Sequence, residues 1–436
     1  MEDRVIFHVD ANSAFLSWSA VYRLKVLGET VDLREIPSVV AGDKESRHSI
    51  ILAKSGPAKK YGIQTGEPLF QALEKYSDLV VVPPDYPLYV EASRHFVEVL
   101  RRFSPAVEQY SIDEAWVDMT GTRRLHGDPR VAAETMRKTI FEELGFTVNI
   151  GISTNKLLAK VAGDFEKPNK VHTLFPEEIE QKMWPLPVRD LFLVGPATER
   201  KLKLFGIYTI GQLAGTDVAV LRKRLGKHGE TIWHFANGRS ADAVCPQPQE
   251  NKGYGNSVTT AQDVITTPQA HQVLLSLCET VAARMRKDGK CGSCVSVHIR
   301  TFEFQHASHQ RKLLCSTNLT AQIFESACQV FDELWDGVTP LRQLGVQMTQ
   351  LSNEPYQQYD LFSGMSPQQF EKKMKLDETV DAIMRISGVV DVEAFRELAE
   401  GFSTIQSVLH IVSYAVIAVL LVVSLLIISN TVKLAM

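Results

Sequence analysis

Two adjacent carboxylates, Asp113 and Glu114, stand in a stretch that otherwise has the composition of a buried strand. Residues 107–118 read VEQYSIDEAWVD, and most of them are β-branched, aromatic or apolar. Like charges side by side are costly in a sheet unless a cation neutralises them. In a regular strand the two side chains would point to opposite faces, so we expect a bend or tight hairpin at 111–113. Such a turn would present both carboxylates to a hard divalent cation.

The first strand candidate offers a third carboxylate. Residues 5–10 (VIFHVD) alternate in polarity, with Ile6, His8 and Asp10 on one face. If this strand ends beside residues 107–118, Asp10 would lie next to Asp113 and Glu114. The spacing supports a three-carboxylate site for two Mg²⁺ ions about 3.5–4 Å apart, as in polymerases and nucleases. Solvated acids at strand ends fit the spacing equally well.

Four blocks of the sequence resemble the Y-family translesion DNA polymerases, in particular their bacterial polymerase IV and UmuC-like members. They are residues 9–15 (VDANSAF), 53–63 (AKSGPAKKYGI), 110–115 (YSIDEA), and 151–160 (GISTNKLLAK) continued by 167–169 (KPN). The blocks occur in the expected order and spacing, and the resemblance covers residues 1–384. It implies a DNA-directed DNA polymerase, a nucleotidyltransferase that copies damaged templates with low fidelity.

The resemblance also implies roles for particular residues. Asp10 and Asp113 would bridge two Mg²⁺ ions, Glu114 would hold the catalytic ion, and the Ala11 carbonyl would ligate the nucleotide ion. Phe15 would be an aromatic steric gate against the 2′-hydroxyl of ribonucleotides. Lys59 and Lys167 would be the cations for the triphosphate. The residues 56–59 (GPAK) depart from the Tyr-x-x-Arg of many family members, which implies weaker triphosphate binding at that point.

Length and composition predict several globular domains. A chain of 436 residues is too long for one core, and 44% hydrophobic with 22% charged residues is ordinary for a folded protein. A net charge of −4 means that any nucleic-acid surface is local. The resemblance implies an α+β, right-hand polymerase fold. Its parts would be a ferredoxin-like palm (1–15 and 75–167), small fingers (16–74), a helical thumb (168–240), a linker (241–252), an α/β little finger (253–352) and a tail (353–384).

Two short motifs imply contacts with partners. Residues 191–207 resemble a helix-hairpin-helix, in which Gly195 would let backbone N–H groups meet a DNA phosphate, with Lys201 and Lys203 nearby. Phosphate contacts there and in the little finger should make DNA binding salt-dependent. Residues 358–362 (QYDLF) look like the bacterial sliding-clamp-binding pentapeptide, with Gln358, Asp360, Leu361 and Phe362 in register.

The C-terminal segment does not resemble a polymerase. Residues 408–429 contain no Asp, Glu, Lys or Arg and could span a hydrocarbon core of about 30 Å, which predicts a transmembrane helix. Residues from 386 onward resemble the second membrane helix of the bacterial cell-division permease-like family, whose preceding residues lie outside the cytoplasm. A polymerase works inside, so the conflict suggests a fusion joined near 382–386, which makes 385–436 a foreign segment.

Three hypotheses follow for the whole chain. The first is a cytoplasmic translesion polymerase acting on primer–template DNA and deoxynucleoside triphosphates in DNA repair. The second is a DNA-binding and clamp-binding module without polymerase activity. The third is a membrane-anchored fusion whose soluble part is incidental. The six cysteines do not form a disulfide framework, and reduced thiols are favoured over a zinc site at Cys291 and Cys294.

Overall fold

A computed structural model of the chain describes residues 4–43, 49–247, 250–353 and Asp377. It divides into two compact units, Met1–Gln249 and Glu250–Met436. Each unit has its own hydrophobic core, as a chain of this length predicts.

The first unit alternates strands and helices. Its strands are β1 (Ile6–Ala11), β2 (Ser38–Ala41), β3 (Ile51–Lys54), β4 (Val80–Val82), β5 (Val107–Gln109), β6 (Glu114–Asp118), β7 (Val148–Ser153) and β8 (Val171–Thr173). Its helices are α1 (Ala14–Lys25), α2 (Gly56–Lys60), α3 (Leu69–Lys75), α4 (Tyr86–Arg101), α5 (Arg123–His126), α6 (Pro129–Leu144), α7 (Lys156–Gly163), α8 (Pro196–Leu204), α9 (Ile210–Ala214), α10 (Val218–Leu225) and α11 (Lys227–Ala236).

A five-stranded sheet in the order β5-β6-β1-β7-β8 organises this unit. The central strand β1 is antiparallel to both neighbours, and Asp10 is paired with Glu114 on one side and with Asn149 on the other. Phe7 and Val9 point into a core shared with α1, α4 and α6. His8 and Asp10 therefore project from the opposite face, as the alternation of the sequence predicts.

Helix α7 lies against this opposite face of the sheet. It begins at Lys156, and the side chain of the preceding residue, Asn155, accepts a hydrogen bond from the Leu158 N–H at 2.9 Å and so caps the helix. Leu158 and Val161 of the helix belong to the core of the following helical region, which also contains α8–α11. The helix is thus packed on the sheet on one side and on the helical region on the other.

Close packing between α7 and β7 depends on Gly151. A Cβ atom at this position would lie 1.9 Å from the Ala159 carbonyl oxygen and 2.4 Å from the Gly163 nitrogen, both backbone atoms. We expect Gly151→Ala to lower the free energy of unfolding by about 3 kcal/mol or more, because helix and strand would have to separate. Urea denaturation of the full chain measures this. Gly56→Ala is the matched control, since a Cβ there meets nothing within 4 Å, and a similar loss in both variants would contradict the prediction.

Three elements lie across the predicted domain boundaries. Strand β8 pairs with β7 and so belongs to the five-stranded sheet, although it lies beyond residue 167. Helix α1 contributes Leu16 and Trp18 to the core under that sheet, although both lie beyond residue 15. A separate three-stranded sheet, β3-β2-β4, includes Val80–Val82, which lie beyond residue 74. The bounds of the palm, fingers and thumb stay predictions.

The second unit is a four-stranded antiparallel sheet with two helices packed on one face. Its elements are β9 (Gly253–Val264), α12 (Thr267–Lys287), β10 (Cys291–Thr301), β11 (His306–Thr317), α13 (Thr320–Leu334) and β12 (Leu341–Ser352), and the strand order is β11-β10-β12-β9. This is the α/β arrangement predicted for residues 253–352. Asp377 accepts hydrogen bonds from the Thr320 N–H at 3.0 Å and from Arg286 at 3.2 Å. The first of these bonds provides a partner for a backbone N–H at the start of α13 that has none within the helix.

Several predictions concern residues beyond those described. The clamp-binding motif at 358–362, the junction at 382–386 and the membrane helix at 408–429 all lie outside the described residues. Among the helices that are described, none combines the length and the apolar character needed to cross a bilayer. The spanning helix at 408–429 stays a prediction.

Candidate active site

The two adjacent carboxylates sit at a tight hairpin, as predicted. Strands β5 and β6 are antiparallel neighbours, and the Tyr110 N–H donates to the Glu114 carbonyl at 3.0 Å across the turn. Asp113 is the last residue of the turn and Glu114 the first of β6. The Ala11 N–H donates to the Asp113 carbonyl at 2.9 Å, which ties the turn to the end of β1. Asp10, Asp113 and Glu114 are therefore brought to the same edge of the sheet.

Each of the three carboxylates has one oxygen that accepts hydrogen bonds and one that is left open. Asp10 Oδ2 accepts from Lys167 Nζ, and Asp113 Oδ1 accepts from Ser111 Oγ at 2.6 Å. Glu114 Oε2 accepts hydrogen bonds from both His8 Nε2, at 2.8 Å, and Lys160 Nζ. Within the described residues no hydrogen bond reaches Asp10 Oδ1, Asp113 Oδ2 or Glu114 Oε1. Three open carboxylate oxygens at one edge are the donor set that a hard divalent cation prefers.

Burial and the neighbouring cations control the charge of the site. Burial raises the pKa of Asp10, although the Lys167 ammonium opposes the rise. Burial would also raise the pKa of Glu114, but the hydrogen bonds from His8 and Lys160 outweigh it and hold that pKa at about 2. Desolvation lowers the pKa of the Lys167 ammonium, but the Asp10 and Asp164 carboxylates beside it outweigh that effect and raise its pKa. Glu114 and Lys167 are consequently charged throughout the neutral range.

His8 is a neutral donor to Glu114. It is 2% exposed, and burial lowers its pKa below the usual value. Because an ionised carboxylate only accepts hydrogen bonds, the proton is on Nε2. Its Nδ1 is buried without a hydrogen-bond partner among the described residues and faces Gly163. The imidazole therefore fixes the orientation of Glu114 without adding charge.

A cavity of about 280 Å³ opens beside the carboxylates. Residues from β1, the turn after it, the fingers and the β5–β6 turn line it: Asp10, Ala11, Ser13, Ala14, Phe15, Leu52, Ala53, Lys54, Thr65 and Asp113. Phe15 and the two aspartates thus share one cavity, as the resemblance implies. Lys59 is exposed on α2 and is not among the lining residues.

The ring of Phe15 is held by aromatic neighbours. It stacks on Tyr89 with ring centroids 4.5 Å apart and an interplanar angle of 12°. Tyr89 is fully buried, and its hydroxyl hydrogen-bonds Ser19 Oγ at 2.9 Å. Tyr86 meets the Phe15 ring edge-on at 6.3 Å. The Phe15 ring is therefore packed against aromatic neighbours where it lines the cavity.

The carboxylates do not form a closed cluster. Across the described residues, no three His, Cys, Asp or Glu side chains converge closely enough to hold a metal ion. Two of the carboxylates are paired with lysines instead, since Lys160 binds Glu114 and Lys167 binds Asp10. Joint ligation of an ion by Asp10, Ala11, Asp113 and Glu114 stays a prediction. No disulfide joins any of the six cysteines, all of which lie among the described residues.

Sequence reasoning missed several residues of the site. His8 lies on the predicted face of β1 with Asp10, so alternation alone could have indicated it. Lys160 lies in the block 151–160, but nothing in that block shows that it binds Glu114. Lys54 and Thr65 also line the cavity; Lys54 belongs to the block 53–63, which does not single it out, and Thr65 carries no signal in the sequence.

Comparisons with known proteins bear on the same elements. The model of the impB/mucB/samB family matches residues 9–164, that of its C-terminal domain matches 251–361, and the IMS family HHH motif matches 176–207. DNA polymerase IV of Clostridium acetobutylicum is 44% identical over 386 residues, which cover 88% of this chain and 96% of that protein. DNA polymerase IV 2 of Bacillus subtilis is 35% identical over 391 residues, which cover 88% and 92%.

The chain belongs to the impB/mucB/samB family. Its fold is also that of a solved Y-family DNA polymerase chimera built from Dbh and Dpo4, with a TM-score of 0.68 and 20% identity over 80% of this chain and 100% of that one. The family matches include the residues that form the carboxylate edge and the region of Gly195. They reach residue 361 and do not include the predicted membrane segment.

Proposed function

We propose that the chain is a template-directed DNA polymerase of the low-fidelity, translesion type, acting in DNA repair and damage tolerance. It extends a primer on template DNA with deoxynucleoside triphosphates. The observation that carries this function is the carboxylate edge, where Asp10, Asp113 and Glu114 each offer one open oxygen and the two aspartates line a cavity. Membership of a family that contains DNA polymerases IV supports it.

Enzymes of this family depend on divalent metal ions, and the carboxylates at this edge have the donor chemistry that such ions take, although among the residues that the structure describes they do not converge into a closed cluster. We assign two Mg²⁺ ions to Asp10, Asp113, Glu114 and the Ala11 carbonyl, since all are hard oxygen donors. When bound, the ions would make the primer 3′-hydroxyl a better nucleophile and neutralise charge on the transferred phosphoryl group. Asp10 and Asp113 would be shared between the ions, and Glu114 would serve the catalytic one.

The remaining residues of the site prepare the carboxylates and hold the nucleotide. His8 and Lys160 keep Glu114 ionised and oriented through Oε2, which leaves Oε1 for ligation. Lys167 neutralises Asp10 and would turn to the triphosphate when it binds. Lys59 is assigned to the triphosphate on the resemblance alone, because it does not line the cavity. Phe15 would exclude a 2′-hydroxyl.

The helical region would hold the DNA backbone. Gly195 precedes the nine-residue helix α8, where N–H groups without helical partners can meet a phosphate. Lys201 and Lys203 lie in the last turn of that helix, and Lys203 is paired with Glu199 at 2.7 Å. The match to the HHH motif over residues 176–207 supports this role. Such contacts carry no sequence information, as a polymerase requires.

Two further partners are proposed from the sequence. Gln358, Asp360, Leu361 and Phe362 would bind a sliding clamp, with Leu361 and Phe362 buried in its pocket. Residues 408–429 would anchor the chain to a membrane. Fractionation of the full chain and of a version ending at residue 362 tests the anchor, and full-length protein in the soluble fraction would reject it.

Primer extension with Mg²⁺ on an intact and a damaged template tests the function. We expect extension of both templates by the wild-type chain. Binding of primer–template DNA without any extension would instead favour the alternative, a DNA-binding and clamp-binding module. Extension that stops at every damaged base would reject the translesion assignment and leave the polymerase assignment standing.

A further inference from the structure

Two asparagines at the sheet edge hold the segment that carries Lys167. Asn149 lies on β7, directly opposite Asp10, and is completely buried. Asn12 lies in the turn that follows β1. The segment 164–170 connects α7 to β8 and lies within hydrogen-bonding distance of both side chains. In the described part of the chain, neither asparagine side chain forms a hydrogen bond with the carboxylates of Asp10, Asp113 or Glu114. Both instead form hydrogen bonds with this segment.

The Asn149 amide makes four hydrogen bonds. Its Nδ2 donates to the carbonyl oxygens of Gly163 at 3.1 Å and of Glu166 at 2.6 Å. Its Oδ1 accepts from Asn12 Nδ2 at 3.1 Å and from the Lys170 N–H at 3.4 Å. These bonds use both donor hydrogens and both lone pairs of the amide. A buried amide satisfied in this way fixes the backbone on both sides of Lys167.

Asn12 and Arg137 complete the attachment. Asn12 Oδ1 accepts from the Asn169 N–H at 3.0 Å and from Thr147 Oγ1 at 3.0 Å. From α6, Arg137 donates to Asn169 Oδ1 at 2.6 Å. The backbone is thus held at residues 163, 166, 169 and 170, and Lys167 stands between the held points.

We propose that Asn149, with Asn12 and Arg137, is a positioning residue that places the Lys167 ammonium for the triphosphate of the incoming nucleotide. A lysine is a point charge on a flexible stem, so it cannot define this position by itself. Fixing its backbone sets where the ammonium reaches, first to Asp10 and then to the phosphates. This role rests on the proposed polymerase function. Within that function, Asn149 would control the affinity for the incoming nucleotide through Lys167.

Nucleotide binding to the full chain on a dideoxy-terminated primer tests the proposal, because no bond can form there. We expect Asn149→Leu, which keeps the volume and loses the amide, to raise the Kd of the complementary deoxynucleoside triphosphate about tenfold. In a Lys167→Met background the same substitution should add almost nothing, since it acts through Lys167. An equal tenfold increase in both backgrounds, or no increase in either, overturns the proposal.

Asn155→Ala is the matched control. This asparagine is also buried, caps α7 and donates to the Gly238 carbonyl at 3.0 Å, but it does not touch the segment 164–170. We expect it to lower the thermal midpoint as Asn149→Leu does while leaving the nucleotide Kd unchanged. A tenfold rise in Kd for Asn155→Ala would show that general loosening is the cause and reject the positioning role.

Arg137→Met keeps the test decisive if Asn149→Leu does not fold. The Arg137 side chain donates to Asn169 from α6, and methionine would remove this one attachment of the segment. We therefore expect a two- to fivefold rise in the nucleotide Kd. An unchanged Kd would count against the proposal. If the wild-type chain itself forms no nucleotide-dependent complex, the polymerase function fails, whereas normal wild-type binding with unaffected variants rejects only the positioning role.

Discussion

Asp113→Ala and Glu114→Ala are each expected to reduce the rate of primer extension by at least about 10³-fold, which corresponds to about 4 kcal/mol of transition-state stabilisation. Each substitution removes one of the open oxygens at the sheet edge. Without that oxygen the proposed Mg²⁺ would be held less tightly, and the negative charge that develops on the transferred phosphoryl group would lack its counter-charge. Binding of primer–template DNA should stay nearly unchanged, because neither residue belongs to the proposed DNA-contacting helix.

Single-turnover extension and DNA affinity are the two measurements for this prediction. Asp118→Asn is the matched control, since Asp118 ends the strand that Glu114 begins, and among the described residues its side chain accepts a hydrogen bond from the Thr120 N–H alone, at 2.9 Å. We expect that variant to extend primers at the wild-type rate. Extension retained by both Asp113→Ala and Glu114→Ala would refute the metal assignment. Lost DNA binding would point to a folding defect instead.

Phe15→Ala is expected to lower the preference for deoxynucleotides over ribonucleotides by about 10²-fold. The Phe15 ring forms a wall of the cavity that also contains Asp10 and Asp113. Its stacking on buried Tyr89 prevents it from moving aside, so a 2′-hydroxyl meets a fixed surface. Alanine would leave room for that hydroxyl. The ratio of kcat/KM for the two nucleotide types measures the change.

Two variants make this result specific to the ring of Phe15. Phe15→Tyr keeps the ring and should keep the preference. Phe70→Ala removes a phenylalanine of α3 that is 60% exposed, and it should also leave the ratio as it is. An undiminished preference in Phe15→Ala would show that another group selects the sugar.

The strand pattern predicted the centre of the site because the relevant information is local. Alternation on β1 places Asp10 on one face, and an adjacent pair of carboxylates requires a turn at 111–113. The antiparallel pairing of Asp10 with Glu114 follows once both strands end at the same edge. These predictions needed only the geometry of strands and the cost of adjacent like charges.

The partners of the carboxylates could not be predicted in this way. His8 and Glu114 are 106 positions apart, and Lys167 and Asp10 are 157 apart, so only the folded chain brings them together. The cavity wall is a similar case. Family motifs indicated Lys59, but the short helix α2 exposes it, and Lys54 of β3 lines the cavity instead. Which lysine faces a cavity depends on the packing of the fingers, which no motif encodes.

Helix α7 has a consequence for how members of this family can be recombined. One side of the helix packs closely against Gly151 and carries Lys160, which pairs with Glu114. Leu158 and Val161 pack in the core of the helical region that contains α8–α11. A thumb grafted from a relative at residue 168 would therefore meet a helix shaped for different neighbours. The resulting strain would act on Glu114, the carboxylate that Lys160 contacts, rather than at the graft junction. A transplant that preserves catalysis has to carry residues 155–163 together with the thumb.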